Sequence, residues 1–101
     1  GSGPAYYFLF MEIIERAGQD LGLPREVARM LSVQTAFGAA KMALEADADP
    51  ATLRDQVTSP GGTTEQALRV LAERDVDKTL SDAVAAACRR ARELADVFGE
   101  S

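Results

Sequence analysis

The sequence has no histidine, no tryptophan and one cysteine, Cys88. Without an imidazole, these residues can build neither a histidine-ligated zinc site nor a histidine-based catalytic triad, and we expect no metal. A lone cysteine excludes an internal disulfide, and we expect Cys88 to be a small core residue. Because nothing suggests secretion, the expected compartment is the reducing cytoplasm.

Positive charge and long apolar runs are also scarce. Eleven basic residues stand against sixteen acidic ones, which gives a net charge of -5, and the basic residues are scattered. Because nucleic acid binds to a concentrated basic face, we expect no nucleic-acid partner. The apolar run AYYFLFM at residues 5–11 is too short to span a bilayer and has no basic segment before it. We therefore expect neither a membrane partner nor a signal peptide.

What the sequence does have is apolar residues, 47% of the total, at helical spacing. This pattern predicts an all-α helical bundle that forms a single domain over residues 1–101. Ser2 and Asp49 are the expected caps of the first and third helices, and Gly22 is expected to end the first. The predicted helices cover residues about 3–21, 24–46, 50–57, 64–73 and 78 onwards.

The first two predicted helices are apolar on nearly every side, which is typical of buried helices. A bundle of 101 residues has too little other mass to cover both, so we expect partner chains to cover them in an intertwined or interface-rich oligomer. Gly38, in the middle of the second helix, is expected where another backbone comes close. The alternative is that the aromatic residues of the first helix pack within the monomer; these are Tyr6, Tyr7, Phe8 and Phe10.

The segment DQVTSPGGTTEQAL at residues 55–68 places a flexible turn directly before a helix. Gly61 and Gly62 can take positive φ values, so that successive amides point into one concavity that suits an anion. The helix start adds unpaired amides and the positive end of its dipole. Hydroxyls on the same arc come from Ser59, Thr63 and Thr64. A carboxylate or a phosphate is therefore a candidate ligand.

A purely structural role of this segment is equally open. Thr63 and Gln66 have the spacing of a capping box, which by itself favours a helix start. No base stands near the hydroxyls, and a hydroxyl without a base is a poor nucleophile but a good hydrogen-bond donor. The segment therefore suits substrate positioning, with the reactive chemistry supplied from elsewhere.

Five stretches of the chain together resemble the C-terminal domain of pyrroline-5-carboxylate reductase: GSGPAYYF, GLPREVA, QTAFGAAKM, LRDQVTSPGGTTEQAL and DAVAAACRRARELA. The resemblance implies an oxidoreductase of proline biosynthesis that reduces Δ1-pyrroline-5-carboxylate to L-proline with hydride from NADPH or NADH. It also implies a helical domain that forms an interlocked homodimer, which some members assemble into decamers, with the substrate at the dimer interface.

The resemblance assigns roles to the residues of the turn. Ser59 would hydrogen-bond the substrate carboxylate, and the amides of Gly62 and Thr63 would complete its cradle. Thr64 would be the catalytic residue, because its hydroxyl would hold the ring nitrogen during hydride transfer. The remaining substrate-binding residues are the two that shape the turn, Pro60 and Gly61, and Val57, whose backbone would line the pocket.

The chain departs from the family pattern in one large respect. The family has an N-terminal Rossmann domain for the nucleotide, whereas no strand leading into a Gly-x-Gly-x-x-Gly turn is found in this sequence. We therefore expect no cofactor-binding residues in this chain, no bound cofactor, and no reductase activity of the chain alone. A non-catalytic helical dimerisation module and a carboxylate-binding protein without catalysis remain as alternatives.

Overall fold

In the computed structural model of the chain, residues 2–98 are described, and these residues form five α-helices and no β-strand. The helices are α1 (Gly3–Asp20), α2 (Arg25–Glu45), α3 (Pro50–Gln56), α4 (Thr63–Glu73) and α5 (Val76–Phe98). The predicted all-α fold class is confirmed, and each helix begins within one or two residues of its predicted start. None of the helices in residues 2–98 has the length and apolarity that crossing a membrane requires.

The chain forms two compact units that divide between Leu53 and Arg54. The first contains α1 and α2, and the second contains α4 and α5. The prediction that residues 1–101 act as one domain stays a prediction.

Helices α1 and α2 form an antiparallel hairpin. The Ser32 hydroxyl donates to the main-chain carbonyl of Met11 at 2.8 Å, and the Arg29 side chain contacts the Glu15 carboxylate at 3.3 Å. The later residue of α2, Ser32, contacts the earlier residue of α1, Met11, so the two helices run in opposite directions. These two contacts fix the register of the hairpin.

The end of α1 is a Schellman motif built on Gly22. The Leu23 amide donates to the Gly18 carbonyl and the Gly22 amide donates to the Gln19 carbonyl, both at 3.0 Å. Gly22 has φ +108°, a backbone conformation that a residue with a Cβ rarely adopts. The predicted end of the first helix at Gly22 is therefore confirmed, and it lets the chain reverse within a short turn.

The close approach between α1 and α2 occurs at Gly18 and not at Gly38. A Cβ on Gly18 would lie 3.3 Å from the Ala28 Cβ and from the Leu23 Cδ1. A Cβ on Gly38 would have no described atom within 4 Å. The close crossing expected at Gly38 is therefore not made within the described part of this chain.

Very little of the chain is buried. Among residues 2–98, only Ala28 and Ser32 fall in the buried class, at 3% and 5% exposure. Tyr7 and Phe8 are each 66% exposed, so the alternative in which these aromatic residues pack within the monomer is wrong for them. Large apolar side chains exposed on α1 and α2 include Leu9, Ile13, Ile14, Met30, Leu31, Val33, Phe37, Met42 and Leu44. We call these residues, with Tyr7 and Phe8, the apolar surface of the hairpin.

Two expected helix caps have different outcomes. Asp49 caps α3, because its Oδ1 accepts the amide of Thr52 at 2.9 Å. This hydrogen bond to the charged form lowers the pKa of Asp49 below its ordinary value of 3.8. Ser2 precedes α1 but makes no side-chain cap; its hydroxyl shares a hydrogen bond of 2.6 Å with the Tyr6 hydroxyl instead.

The second unit carries Cys88 on α5, and this thiol is exposed. The expectation that Cys88 packs in a core is therefore wrong within this chain. Val84 and Leu94, which lie on the same helix, are also 48% and 39% exposed. This helix thus keeps an uncovered apolar stripe, as the hairpin keeps its apolar surface.

Candidate functional site

The site is built around a β-turn over residues 59–62. The Ser59 carbonyl accepts the Gly62 amide at 3.0 Å, with Pro60 and Gly61 at the two central positions. Gly61 has φ +74°, the value that a type II turn requires at its third residue, and proline suits the second. The predicted turn is therefore present, with the positive φ at Gly61.

Gly62 is required for another reason than backbone conformation. Its φ is -89°, which any residue can adopt, so the positive φ that glycine permits is used at Gly61 and not at Gly62. A Cβ at this position would lie 3.2 Å from the Ser59 carbonyl oxygen. The second glycine is therefore explained by lack of space against the backbone of Ser59.

Helix α4 begins one residue earlier than predicted, and this changes its capping. Its N-cap is Gly62, so that Thr63 is already helical and makes no side-chain cap. The capping box predicted between Thr63 and Gln66 is therefore wrong. The residue that reaches back is Glu65, whose Oε1 accepts the Gly61 amide at 2.9 Å.

The turn leaves several hydrogen-bonding groups without a partner in the described part of the chain. The hydroxyls of Ser59, Thr63 and Thr64 make no hydrogen bond to any residue in 2–98, and the amides of Thr63 and Thr64 have no acceptor there. Ser59 and Thr63 are exposed, and Thr64 is half-buried. With the positive end of the α4 dipole, these groups form a concentrated set of donors for an anion.

One of the amides predicted to bind the substrate carboxylate already has a hydrogen-bond acceptor within the chain. The amide of Gly62 donates to Ser59, whereas the amide of Thr63 has no partner within residues 2–98. Anion binding by the free groups would therefore begin with the Thr63 amide and the hydroxyls, and would leave the turn intact. The Gly62 amide joins them only when its bond to Ser59 is shared or broken.

Val57 lies where α3 runs into the turn. Its amide donates to the Arg54 carbonyl at 3.2 Å, and the Thr58 hydroxyl donates to the same oxygen at 2.6 Å. The Val57 side chain is 59% exposed. The predicted site residues therefore lie in the short connection that follows α3 and, for Thr63 and Thr64, in the first turn of α4.

Glu65 is the residue that sequence reasoning missed. The signal was present, because a glutamate three residues after an N-cap can bond an amide that precedes the helix. With Thr63 taken as the N-cap, the residue three positions later is Gln66, whereas with the observed N-cap, Gly62, it is Glu65. Because a glycine N-cap has no side chain, the sequence shows only the glutamate of the capping-box pattern and not its hydroxyl residue.

The described residues lack the strand of a Rossmann nucleotide-binding fold. The nucleotide-binding fold requires a strand that leads into a glycine-rich turn, and residues 2–98 contain no strand. The chemistry available at the turn is anion binding and hydrogen bonding by hydroxyls.

Comparison with known proteins identifies the family. The family profile described as "Pyrroline-5-carboxylate reductase dimerisation" matches residues 1–94. The pyrroline-5-carboxylate reductase of Pseudomonas aeruginosa is 48% identical over 100 residues, which is 99% of this chain and 37% of that protein. The chain thus spans about a third of the length of the curated relatives it matches.

Solved structures show the same similarity. A pyrroline-5-carboxylate reductase from Coxiella burnetii superposes with a TM-score of 0.90 at 51% identity, over 93% of this chain and 35% of that one. The pyrroline carboxylate reductase of Plasmodium falciparum, solved with NADP bound, has a TM-score of 0.86 at 39% identity, over 89% of this chain and 34% of that one. By sequence and by structure, this chain belongs to the pyrroline-5-carboxylate reductase dimerisation family.

Proposed function

We propose that the chain is the dimerisation and substrate-carboxylate domain of a pyrroline-5-carboxylate reductase, an enzyme that reduces 1-pyrroline-5-carboxylate to L-proline. The observation that carries the proposal is the set of donors around the turn that have no partner within residues 2–98, namely three hydroxyls and two amides at the start of α4. A cyclic imine that bears a carboxylate matches both the anion site and the hydroxyls beside it.

In this proposal the turn and the start of α4 bind the substrate through its carboxylate. Ser59 donates its hydroxyl to one carboxylate oxygen, and the amide of Thr63 donates to the carboxylate from the helix start. Hydrogen bonds to a charged group contribute about 1.5–3 kcal/mol each. After the entropy of association is subtracted, a few such bonds correspond to micromolar-to-millimolar affinity, which suits a metabolite.

Thr64 has a separate role in the proposal. Its hydroxyl donates to the ring nitrogen, which must gain a proton as the adjacent carbon of the C=N bond gains a hydride. The hydride donor is NADPH or NADH, held by residues outside this chain. A hydroxyl positioned on the nitrogen stabilises the charge that develops there.

The proposed quaternary state is a homodimer, or a decamer built from five such dimers. Oligomerisation agrees with the dimerisation family to which the chain belongs and with the apolar surface of the hairpin. Exposed apolar patches of this extent mark interaction surfaces. The cytoplasm stays the expected compartment, and the chain alone stays predicted to be inactive.

The test is a reductase assay of the full-length polypeptide that carries these residues. NADPH oxidation is followed with 1-pyrroline-5-carboxylate as the substrate, and sedimentation equilibrium of the chain reports its association state. Turnover together with a dimer supports the proposal. A polypeptide that associates, has no turnover and gains no thermal protection from L-proline would instead be a non-catalytic dimerisation module.

A further inference from the structure

The side chain of Glu65 ties the first turn of α4 to the β-turn before it. Its Oε1 accepts the amide of Gly61 at 2.9 Å, and Gly61 is the residue with φ +74° at the third position of the turn. A second bond, from the Gly62 amide to the Ser59 carbonyl, closes the turn from the other side. The two glycine amides are therefore both occupied by acceptors of this chain.

The hydrogen bond from the Gly61 amide to Glu65 is important because adjacent glycines, here Gly61 and Gly62, form the most flexible kind of backbone. A Gly-Gly pair samples many conformations when nothing holds it, and a ligand that needs one of them must bear the loss of that freedom. The carboxylate of Glu65 holds the Gly61 peptide in one orientation before any ligand arrives. The hydroxyls on either side of the glycine pair, those of Ser59, Thr63 and Thr64, and the Thr63 amide stay available to a ligand.

Arg69 limits the electrostatic disadvantage of a carboxylate beside an anion site. Its Nη2 lies 3.8 Å from the Glu65 Oε1, one helical turn along α4. The two side chains are 53% and 40% exposed, so the pair adds little to stability. It nevertheless places a positive charge next to Glu65, which reduces the repulsion that an incoming carboxylate meets.

We propose that Glu65 is a positioning residue for substrate: by holding the Gly61 amide it preorganises the turn that binds the substrate carboxylate. The inference rests on the proposed function, because it names how the same site is shaped. According to this inference, preorganisation of the turn depends on a hydrogen-bond acceptor at the correct distance from the backbone, and not on the negative charge of Glu65.

Two substitutions separate the effect of side-chain length from the effect of charge. Glu65→Gln keeps an oxygen at the same distance from the backbone and removes the charge, whereas Glu65→Asp keeps the charge and shortens the side chain by one methylene. Glu73, the last residue of α4, accepts the same two substitutions as a matched control. All four variants are made in the full-length polypeptide, and their thermal unfolding is compared with that of the wild type.

The readouts are KM and kcat for 1-pyrroline-5-carboxylate and Kd for L-proline. We expect Glu65→Asp to raise KM and Kd by about tenfold with kcat changed by less than about threefold, since preorganisation affects binding of ground state and transition state alike. We expect Glu65→Gln and both Glu73 variants to stay within about twofold of wild type in all three constants.

Two outcomes overturn the inference alone. The first is an active wild type with a Glu65→Asp variant of unchanged KM and Kd. The second is a Glu65→Gln variant as impaired as Glu65→Asp, which would show that a neutral acceptor at the same distance from the backbone is not sufficient. A wild-type polypeptide with neither turnover nor affinity for L-proline overturns the proposed function, and this inference with it.

Discussion

The amide of Gly62 donates to the carbonyl of Ser59 at 3.0 Å, and a Cβ on Gly62 would stand 3.2 Å from the same oxygen. The hydrogen bond and the lack of space have one cause, which is the tight closure of the turn over residues 59–62. The glycine pair thus serves two needs, a positive φ at Gly61 and the absence of a side chain at Gly62.

Gly62→Ala tests the second need. The added methyl meets a backbone oxygen, which cannot rotate away as a side chain can, so the turn must open by a few tenths of an ångström. We expect the affinity for L-proline to fall by about tenfold, because a displaced donor set loses part of its preorganisation. Calorimetric titration of the full-length polypeptide measures this, and Gly3→Ala, where the new Cβ meets no described atom within 4 Å, is the control. A Gly62→Ala variant with wild-type affinity would contradict the described turn as the bound form.

Thr64→Val tests the proposed catalytic hydroxyl. The substitution keeps the shape of the side chain and removes its one donor, and we expect kcat/KM to fall by about 10²–10⁴-fold if that donor acts on the ring nitrogen. The matched control is Thr79→Val, an exposed position in the first turn of α5. Steady-state assays of both variants, with circular dichroism to confirm folding, make the comparison. A Thr64→Val enzyme with wild-type turnover would remove Thr64 from the mechanism.

Gly38→Ala tests whether the second helix packs against a partner. Within this chain the new methyl meets no described atom, and alanine favours a helix over glycine by about 0.5–1 kcal/mol. We therefore expect the dissociated chain to become more stable to denaturant. Where a partner backbone comes close to Gly38, the same methyl weakens association, so the dimer dissociation constant should rise. Sedimentation equilibrium and denaturant titration at several protein concentrations measure the two effects. An unchanged dissociation constant would place Gly38 outside the interface.

Asp49 gives α3 a dependence on pH. The pKa of Asp49 is lowered in the folded chain by its hydrogen bond from the Thr52 amide, so the carboxylate stabilises the fold above its ordinary pKa of 3.8. That contribution is lost as pH falls through the lower folded pKa, because the protonated carboxyl is a weaker acceptor. Asp49→Asn keeps an acceptor at the cap without a titration. We expect the stability difference between wild type and Asp49→Asn to shrink below pH 3.8, as measured by urea unfolding across the acid range. A constant difference would show that the Asp49 carboxyl does not act through its charge.

The helices could be predicted from the sequence because their causes are local. Apolar spacing identified each helix, and Gly22 and Asp49 marked ends whose hydrogen bonds are now visible. Helix α5 starts at Val76, earlier than predicted, because Asp75 takes φ +58° and its carbonyl already accepts the Thr79 amide. An aspartate in a left-handed conformation is not readable from apolar periodicity.

The turn of the candidate site could be predicted from the sequence, but not all of its hydrogen bonds. The turn and its free hydroxyls were predicted, whereas the tie from Glu65 to Gly61 depends on a helix start that lies one residue earlier than threonine preference suggests. The close approach at Gly18 was missed for a different reason. It depends on how two helices are aligned, and the sequence of either helix alone does not contain that information.

The scarcity of buried residues has a further consequence for how this chain folds. With only Ala28 and Ser32 buried among the described residues, the chain by itself removes little apolar area from water, and burial of such area is the main source of stability. In obligate homodimers the fold and the assembly form a single equilibrium, and stability then depends on protein concentration. If this chain forms the proposed homodimer, dilution would destabilise it, and its melting temperature would rise with protein concentration.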